Sequence, residues 1–382
     1  MKKPWIVSLM DNIAEEGLDR LRRSDRFKIE ADAQEPHAII VRSRKLSESI
    51  FANSRLLCVG RAGAGVDNIP VAAATKRGIP VFNAPGGNAN AVKEAVVGSI
   101  IALSRNLLPA SISLRDSKAV DRSRFEGREI QGRTLGILGL GQIGGRVAEA
   151  ALALGMKVIG YDKYLSVPMA LRLPTQMTVV EDMDSVLRHA DILTLHVSLT
   201  DETRHMINAE LIARMKAGAL VVNFARADVV NAVDMRAALD AGAVGGYATD
   251  FPKDEYRDCD KVLMTPHIGA STREAQINCA EMVAESISDF LLEGAIRNSS
   301  NFPTLQLQRN EGACRLVFAN DNVPGMISKV SALLAQRGIN IISMANSSNA
   351  QIGYSIVDYT PAPAPGLIAA IRSIPGILMI NS

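Results

Sequence analysis

Three side chains in the second half of the chain have the types needed to move a proton beside a carboxylate. Arg226 ends the run Val221-Val-Asn-Phe-Ala-Arg226, just past an apolar stretch that reads as a strand. Ligands of open α/β sheets sit at the carboxyl ends of strands, and a guanidinium there can grip a carboxylate through two bonds. His267 lies in Leu263-Met-Thr-Pro-His267-Ile-Gly-Ala-Ser-Thr272, where another apolar run meets a helix start. Glu255, in Asp250-Phe-Pro-Lys-Asp-Glu255, is the acid placed to partner it. A carboxylate beside an imidazole fixes the tautomer and raises the pKa, which suits general acid–base work near neutrality.

What these groups would act with is written upstream. The run Thr134-Leu-Gly-Ile-Leu-Gly139-Leu-Gly141-Gln142-Ile143-Gly144 follows an apolar strand and opens a helix, and Asp162 ends the next strand 23 positions after Gly139. That context and spacing is the dinucleotide fingerprint. Gly139 permits the tight turn, Gly141 lets the backbone approach a pyrophosphate, and Gly144 lets helix and strand pack closely. The free N–H groups at the helix start face the phosphates. Asp162 can accept both ribose hydroxyls and would repel a 2′-phosphate, which favours NAD over NADP; Lys163 offsets part of that charge. A nicotinamide cofactor, a base and a carboxylate-gripping cation are the equipment for hydride transfer from a 2-hydroxy acid.

The rest of the chain must position these groups. Its 382 residues are 47% hydrophobic and 21% charged, with 42 Lys plus Arg against 40 Asp plus Glu, giving a net charge of +2. That is a soluble globular composition long enough for two or three domains. No basic face or arm points to nucleic acid, and no run approaches the roughly 20 apolar residues of a membrane span. Cys58, Cys259, Cys279 and Cys314 are scattered with no CxxC pair, which argues against metal and for a reduced, cytoplasmic setting. Short β-rich runs (Ala38 to Val41, Thr134 to Leu138, Lys157 to Tyr161, Ile192 to His196, Leu220 to Asn223) alternate with Ala-rich helical stretches, the pattern of a parallel sheet with crossover helices. After Gly294 the periodicity lapses, and 303–311 reads as a linker. Residues 312–382 then follow a β-α-β-β-α-β order, a ferredoxin-like unit.

At these residues the chain resembles the D-2-hydroxyacid dehydrogenase family over nearly its whole length. Val59-Gly-Arg-Ala-Gly-Ala-Gly-Val-Asp-Asn68, Asn83-Ala-Pro-Gly-Gly-Asn88, the glycine fingerprint, Asn223-Phe-Ala-Arg226 and Thr265-Pro-His-Ile-Gly-Ala-Ser-Thr272 match in family order. The resemblance implies an α/β fold of a discontinuous, flavodoxin-like substrate domain (1–89 and 277–302) and a Rossmann-type NAD-binding domain (90–276), with a cleft that closes on substrate. It implies that Arg226, Glu255 and His267 are catalytic. Asp254 is the alternative acid, because the segment between Glu255 and His267 is short. It places Gln142, Ile143, Val197, Phe224, Ala225, Asp250 and Gly269 at the cofactor along with the glycines, Asp162 and His267. The family's His-x-Pro reads His196-Val-Ser198 here, which would loosen a cofactor-facing loop. The turn at Ala64 and Gly65 would hold the substrate carboxylate, with Ser43 and Asn88 nearby. Arg42 and Arg61 resemble arginines that meet a substrate phosphate. They point to 3-phosphoglycerate, oxidised with NAD to 3-phosphohydroxypyruvate at the start of L-serine biosynthesis. A hydroxypyruvate or glyoxylate reductase and a non-catalytic NAD-sensing scaffold are the alternatives.

Residues 312–382 resemble an ACT regulatory domain through Asn320-Asp-Asn322-Val-Pro-Gly325, Gly338-Ile-Asn340-Ile and Gln351-Ile-Gly-Tyr354. By that resemblance Asn320, Asn322 and Asn340 would hold L-serine between two such domains. An open sheet edge can pair with a second copy, so a homo-oligomer, a dimer or tetramer, is expected.

Overall fold

The computed structural model describes residues 3–116, 120–361 and 365–381. The chain divides into two compact units, 1–88 with 273–382, and 89–272.

The first unit begins with five parallel strands, β1 (Trp5–Leu9), β2 (Phe27–Ala31), β3 (Ala38–Val41), β4 (Cys58–Arg61) and β5 (Val81–Phe82), in the order β2-β1-β3-β4-β5. This is the flavodoxin-like order. All four residues of β3 are buried, as a strand covered on both faces must be, which is why Ala38 to Val41 reads as a continuous apolar run. The long helix Arg273–Glu293 lies on this sheet through Ala280, Val283, Ala284, Ile287 and Phe290.

The second unit holds seven parallel strands: β6 (Thr134–Leu138), β7 (Lys157–Tyr161), β8 (Thr178–Val179), β9 (Ile192–Leu195), β10 (Ala219–Asn223), β11 (Val244–Thr249) and β12 (Val262–Met264). Their order is β12-β11-β10-β9-β6-β7-β8. Strand order reverses between β6 and β9, and at such a switch point the loops diverge and leave a crevice. Ile137, Leu135, Val222 and Ala248 form the core beneath the helices on one face, and Leu193, Val221 and Tyr247 form it on the other. No single helix among the described residues is long and apolar enough to cross a membrane.

Antiparallel strands β13 (Cys314–Asp321), β14 (Asn340–Ser348), β15 (Ile352–Thr360) and β16 (Ile377–Asn381) close the first unit in the order β14-β15-β13-β16, with helices Met326–Gln336 and Leu367–Arg372 on one face. The β-α-β-β-α-β reading therefore holds. The other face of this sheet is not free. Val317, Ala319, Tyr354 and Ile356 join Val7, Phe82 and Phe290 in one continuous core. Tyr354 donates its hydroxyl to the Gly294 carbonyl at 2.7 Å. Buried Arg315 grips buried Asp358 through two bonds of 2.7 and 2.9 Å. The stretch that reads as a linker is pinned too: Leu305 bridges Ile296, and Asn310 donates its N–H to Asp358.

Candidate active site

The nucleotide turn follows from backbone limits. Gly139 has φ +93°, a left-handed value that side chains resist, and a Cβ there would lie 2.6 Å from the His196 carbonyl at the end of β9. At Gly144 a Cβ would lie 2.0 Å from the Gly139 carbonyl oxygen, so only glycine lets the helix Gln142–Ala153 start this close to the strand. A Cβ on Gly141 would meet nothing within 4 Å, and no side chain caps the helix. The turn thus presents Gln142, Ile143 and Gly144 as open N–H donors at the positive end of a helix dipole. That cradle fits a dinucleotide pyrophosphate.

Asp162 sits beside the turn. One carboxylate oxygen accepts the Leu140 N–H at 2.8 Å and the other the Tyr164 N–H at 2.9 Å. A carboxylate offers about four acceptor directions, so two remain for ribose hydroxyls. Lys163 does not offset the charge as the sequence suggests. Its ammonium lies 2.6 Å from Glu202, and this contact holds Lys163 above and Glu202 below their usual ranges. The loop after His196 is not loosened by serine in place of proline. Thr203 donates its hydroxyl to the Ser198 carbonyl at 2.6 Å and accepts the Thr200 N–H at 2.8 Å. Burial pushes the His196 imidazole down to about 3, so it is neutral, with Thr194 at 3.0 Å from Nε2. Val197, Phe224 and Ala225 follow the carboxyl ends of β9 and β10, on the same rim as the glycine turn.

Arg226 projects from the turn after β10, half-buried, donating to the Ala225 carbonyl at 2.7 Å. Asn223 builds that turn. It is fully buried, accepts the Ala225 N–H at 3.0 Å and donates to the Arg226 carbonyl at 2.9 Å. In the sequence, Asn223 carries no mark of this role beyond its place in the motif Asn223-Phe-Ala-Arg226.

His267 is exposed, with φ +57°. Its N–H donates to the carbonyls of Asp250 and Thr265, both at 3.0 Å, and its ring packs edge-on against Phe251 with centroids 5.0 Å apart. The clamp is Asp250, buried at the end of β11. Its carboxylate accepts the Thr265 hydroxyl at 2.6 Å, the Ile268 N–H at 2.8 Å and the Gly269 N–H at 2.7 Å. Asp250, which the resemblance places at the cofactor, uses three acceptor positions of its carboxylate to shape the His267 turn. Asp250→Asn would set an amide NH₂ against those donors. We expect a loss of about 1–3 kcal/mol in stability and a fall in kcat without a matching rise in KM for cofactor. Unchanged kcat and melting temperature would remove Asp250 from this role.

The expected Glu255–His267 pair is not formed. Glu255 is exposed in the turn Asp254–Tyr256, and no bond joins its carboxylate to the imidazole. The next residue explains this. Tyr256 is buried against Tyr247 at 5.2 Å between ring centroids, and Arg236 holds the Glu255 carbonyl at 2.8 Å, so the turn is anchored with Glu255 facing solvent. Asp254, the alternative acid, pairs with Arg257 at 2.6 Å.

In the first unit the loops after β3 and β4 interlock. One oxygen of Asp11 accepts the N–H groups of Arg42, Ser43 and Arg44 at 2.6, 2.8 and 3.0 Å. Partial burial raises the Asp11 pKa, but the three N–H donors outweigh it and leave the group below its usual range. Asp11, 31 residues before Arg42, escapes sequence reasoning. Arg61 does not stand free for a phosphate. It donates to the Arg42 carbonyl at 3.1 Å and the Gly65 carbonyl at 2.8 Å, stapling the two loops together. Arg42 keeps its half-buried guanidinium clear of acids, with no carboxylate within 4 Å among the described residues. Among the described residues the Ala64 and Gly65 N–H groups have no acceptor, and the buried Asn88 side-chain oxygen has no donor.

Asn320, Asn322 and Asn340 do not converge within one chain. Asn320 is buried opposite Gly353, with its side-chain oxygen unpartnered, and Asn322 donates to the Asn349 carbonyl at 2.7 Å. Asn340 pairs with Thr360 at the other end of β15, roughly 24 Å away at about 3.4 Å per residue.

Fold and site together define a Rossmann-type, NAD-dependent dehydrogenase scaffold. Residues 97–269 match the family model of the D-isomer specific 2-hydroxyacid dehydrogenase NAD-binding domain. A D-3-phosphoglycerate dehydrogenase of Haemophilus influenzae is 34% identical over 355 residues, 90% of this chain and 85% of that protein. One from Synechocystis sp. is 38% identical over 316 residues, 78% of this chain but 56% of that protein, so the chain spans little more than half of that longer relative. The structure of an NAD⁺-bound 3-phosphoglycerate dehydrogenase from Entamoeba histolytica matches with a TM-score of 0.64 at 26% identity, covering 79% of this chain and 100% of that one. The chain belongs to the D-isomer specific 2-hydroxyacid dehydrogenase family.

Proposed function

We propose that the protein oxidises 3-phospho-D-glycerate to 3-phosphohydroxypyruvate, the reaction that opens L-serine biosynthesis. The observation that carries this is the placement of Arg226 and His267 past the carboxyl ends of β10 and β12, each turn built by a buried side-chain clamp, on the rim that bears the nucleotide turn. Bound NAD supplies the hydride acceptor. Arg226 holds the substrate carboxylate and stabilises the C2 oxygen as it becomes a carbonyl. His267 takes the hydroxyl proton. The free Ala64 and Gly65 N–H groups serve the carboxylate. Arg42, lacking an acid partner, serves the phosphate, with Arg61 holding its loop. Ser43 and Asn88 line the same substrate. Glu255 is kept as the third member of the acid–base set, reaching the imidazole only once substrate is bound.

Steady-state assays of 3-phosphoglycerate, glycerate, hydroxypyruvate and glyoxylate with NAD(H) test this. The phosphorylated acid should give the highest kcat/KM. Equal or better turnover of the unphosphorylated acids would favour a reductase of that group. With NADPH in place of NADH, Asp162 should depress kcat/KM by about 10² through repulsion of the 2′-phosphate. Comparable efficiency would contradict that reading.

Regulation belongs to the same proposal. Because Asn340 lies far from Asn320 and Asn322 in one chain, an L-serine site made by all three needs a second copy. Helix Leu107–Asp116 buries none of its residues and exposes Leu107, Leu108, Ile112 and Leu114, which suits a homo-oligomer assembled through it.

A further inference from the structure

The first unit contains a second cationic concavity, apart from the residues assigned above. Its volume is about 430 Å³, and Lys3, Arg26, Arg309 and Arg315 line it with no acid among the lining residues. Topology brings them together. Lys3 leads into β1, and Arg26 immediately precedes β2, its carbonyl accepting the Trp5 N–H at 2.7 Å. Arg315 is on β13, and Arg309 is on the segment that leads to it.

Two of the four charges are matched. Arg315 is taken by Asp358 and, at 3.4 Å, by Glu293, while Arg309 lies 3.9 Å from Glu293. Lys3 and Arg26 have no acid within 4 Å among the described residues. Trp5 also lines the cavity, and its indole N–H is buried without an acceptor. Leu291, Leu292 and Val317 supply the apolar wall. Exposed cations on an open surface are simply solvated. Cations of one sign around a concavity with low-dielectric walls focus the field and concentrate counter-charge.

We propose that this cavity binds a small organic anion carrying at least two negative charges, a phosphate ester or a di- or tricarboxylate. Lys3, Arg26 and Arg309 grip the charged groups, and the apolar wall covers the carbon skeleton. The site is distinct from the substrate residues. The five strands are parallel; Lys3 and Arg26 stand at the amino ends of β1 and β2, while Arg42 and Arg61 stand at the carboxyl ends of β3 and β4. The two sets occupy opposite ends of one sheet. The occupant would also bridge that sheet to β13 and β16.

Isothermal titration of the full NAD-saturated chain with inorganic phosphate and, separately, with citrate tests this. The readout is heat rather than turnover, so the result stands whether or not 3-phosphoglycerate is the substrate. The wild type should bind at least one of the two anions; which one identifies the chemistry. Lys3→Ala with Arg26→Ala should weaken that binding by about tenfold or more, and Arg337→Ala, at an exposed cation outside the cavity, should leave it unchanged. Arg26→Gln alone, should the double variant fold poorly, should give a smaller loss in the same direction. Absence of binding to either anion, equal binding by the Lys3 and Arg26 variants, or the same loss on changing Arg337 would overturn the proposal.

Discussion

His267→Asn lowers kcat by about 10²–10⁴ while leaving the melting temperature close to that of the wild type. Both halves of this expectation come from the geometry. The exposed imidazole follows the carboxyl end of β12, on the rim that bears the nucleotide turn, and it makes no hydrogen bond among the described residues, so removing it leaves no buried partner stranded. The backbone at 267 is left-handed, at φ +57°. Asn tolerates that conformation well, whereas Ala pays about 1–2 kcal/mol for it. His267→Asn therefore separates chemistry from folding better than His267→Ala. The check is steady-state kcat beside a thermal melt. Full activity would remove His267 from the mechanism, and a large fall in melting temperature would mean that the ring is structural.

Arg226→Gln should lower kcat/KM for the hydroxy acid by about 10³, the scale reported for losing one preorganised oxyanion donor. The Arg226 carbonyl, not its side chain, is what Asn223 grips, so the turn itself should survive. Arg226→Lys should recover only part of the loss, because an ammonium keeps the charge without the planar pair of donors. Cofactor affinity, read by titrating NADH fluorescence, should be nearly unchanged in both variants. A loss confined to NADH binding would assign Arg226 to the nucleotide instead.

Much of this architecture is legible in the amino-acid order because it rests on local rules. β3 and β9 are buried on both faces and so are written as unbroken apolar runs. The glycine turn is written in residues that alone fit its backbone. Contacts closed by distant parts of the chain are not legible. Asp11 clamps the Arg42 loop across 31 positions, and an aspartate after a strand carries no mark of which N–H groups it will meet. Arg61 sits where a phosphate ligand is expected, and two of its donors go to the neighbouring carbonyls of Arg42 and Gly65, an outcome decided by loop geometry. Glu255 is exposed and makes no bond with His267, while Tyr256, one residue on, finds a buried place against Tyr247; spacing along the chain does not reveal which of two neighbours turns inward. The docking of the C-terminal sheet is hidden in the same way. Arg315 and Asp358 look like surface charges in the sequence and are a buried pair in the fold.

The claim beneath all of this is that hydride leaves carbon 2 of a phosphorylated hydroxy acid for a nicotinamide seated at the Gly139 turn, as His267 takes the hydroxyl proton. The most direct measurement uses 3-phospho-D-glycerate deuterated at carbon 2, with NAD and the purified full chain. The account predicts that the label moves to the reduced nicotinamide ring and that the rate-limiting chemistry slows in the His267→Asn variant. Release of the deuterium to water, with unlabelled cofactor, would contradict it.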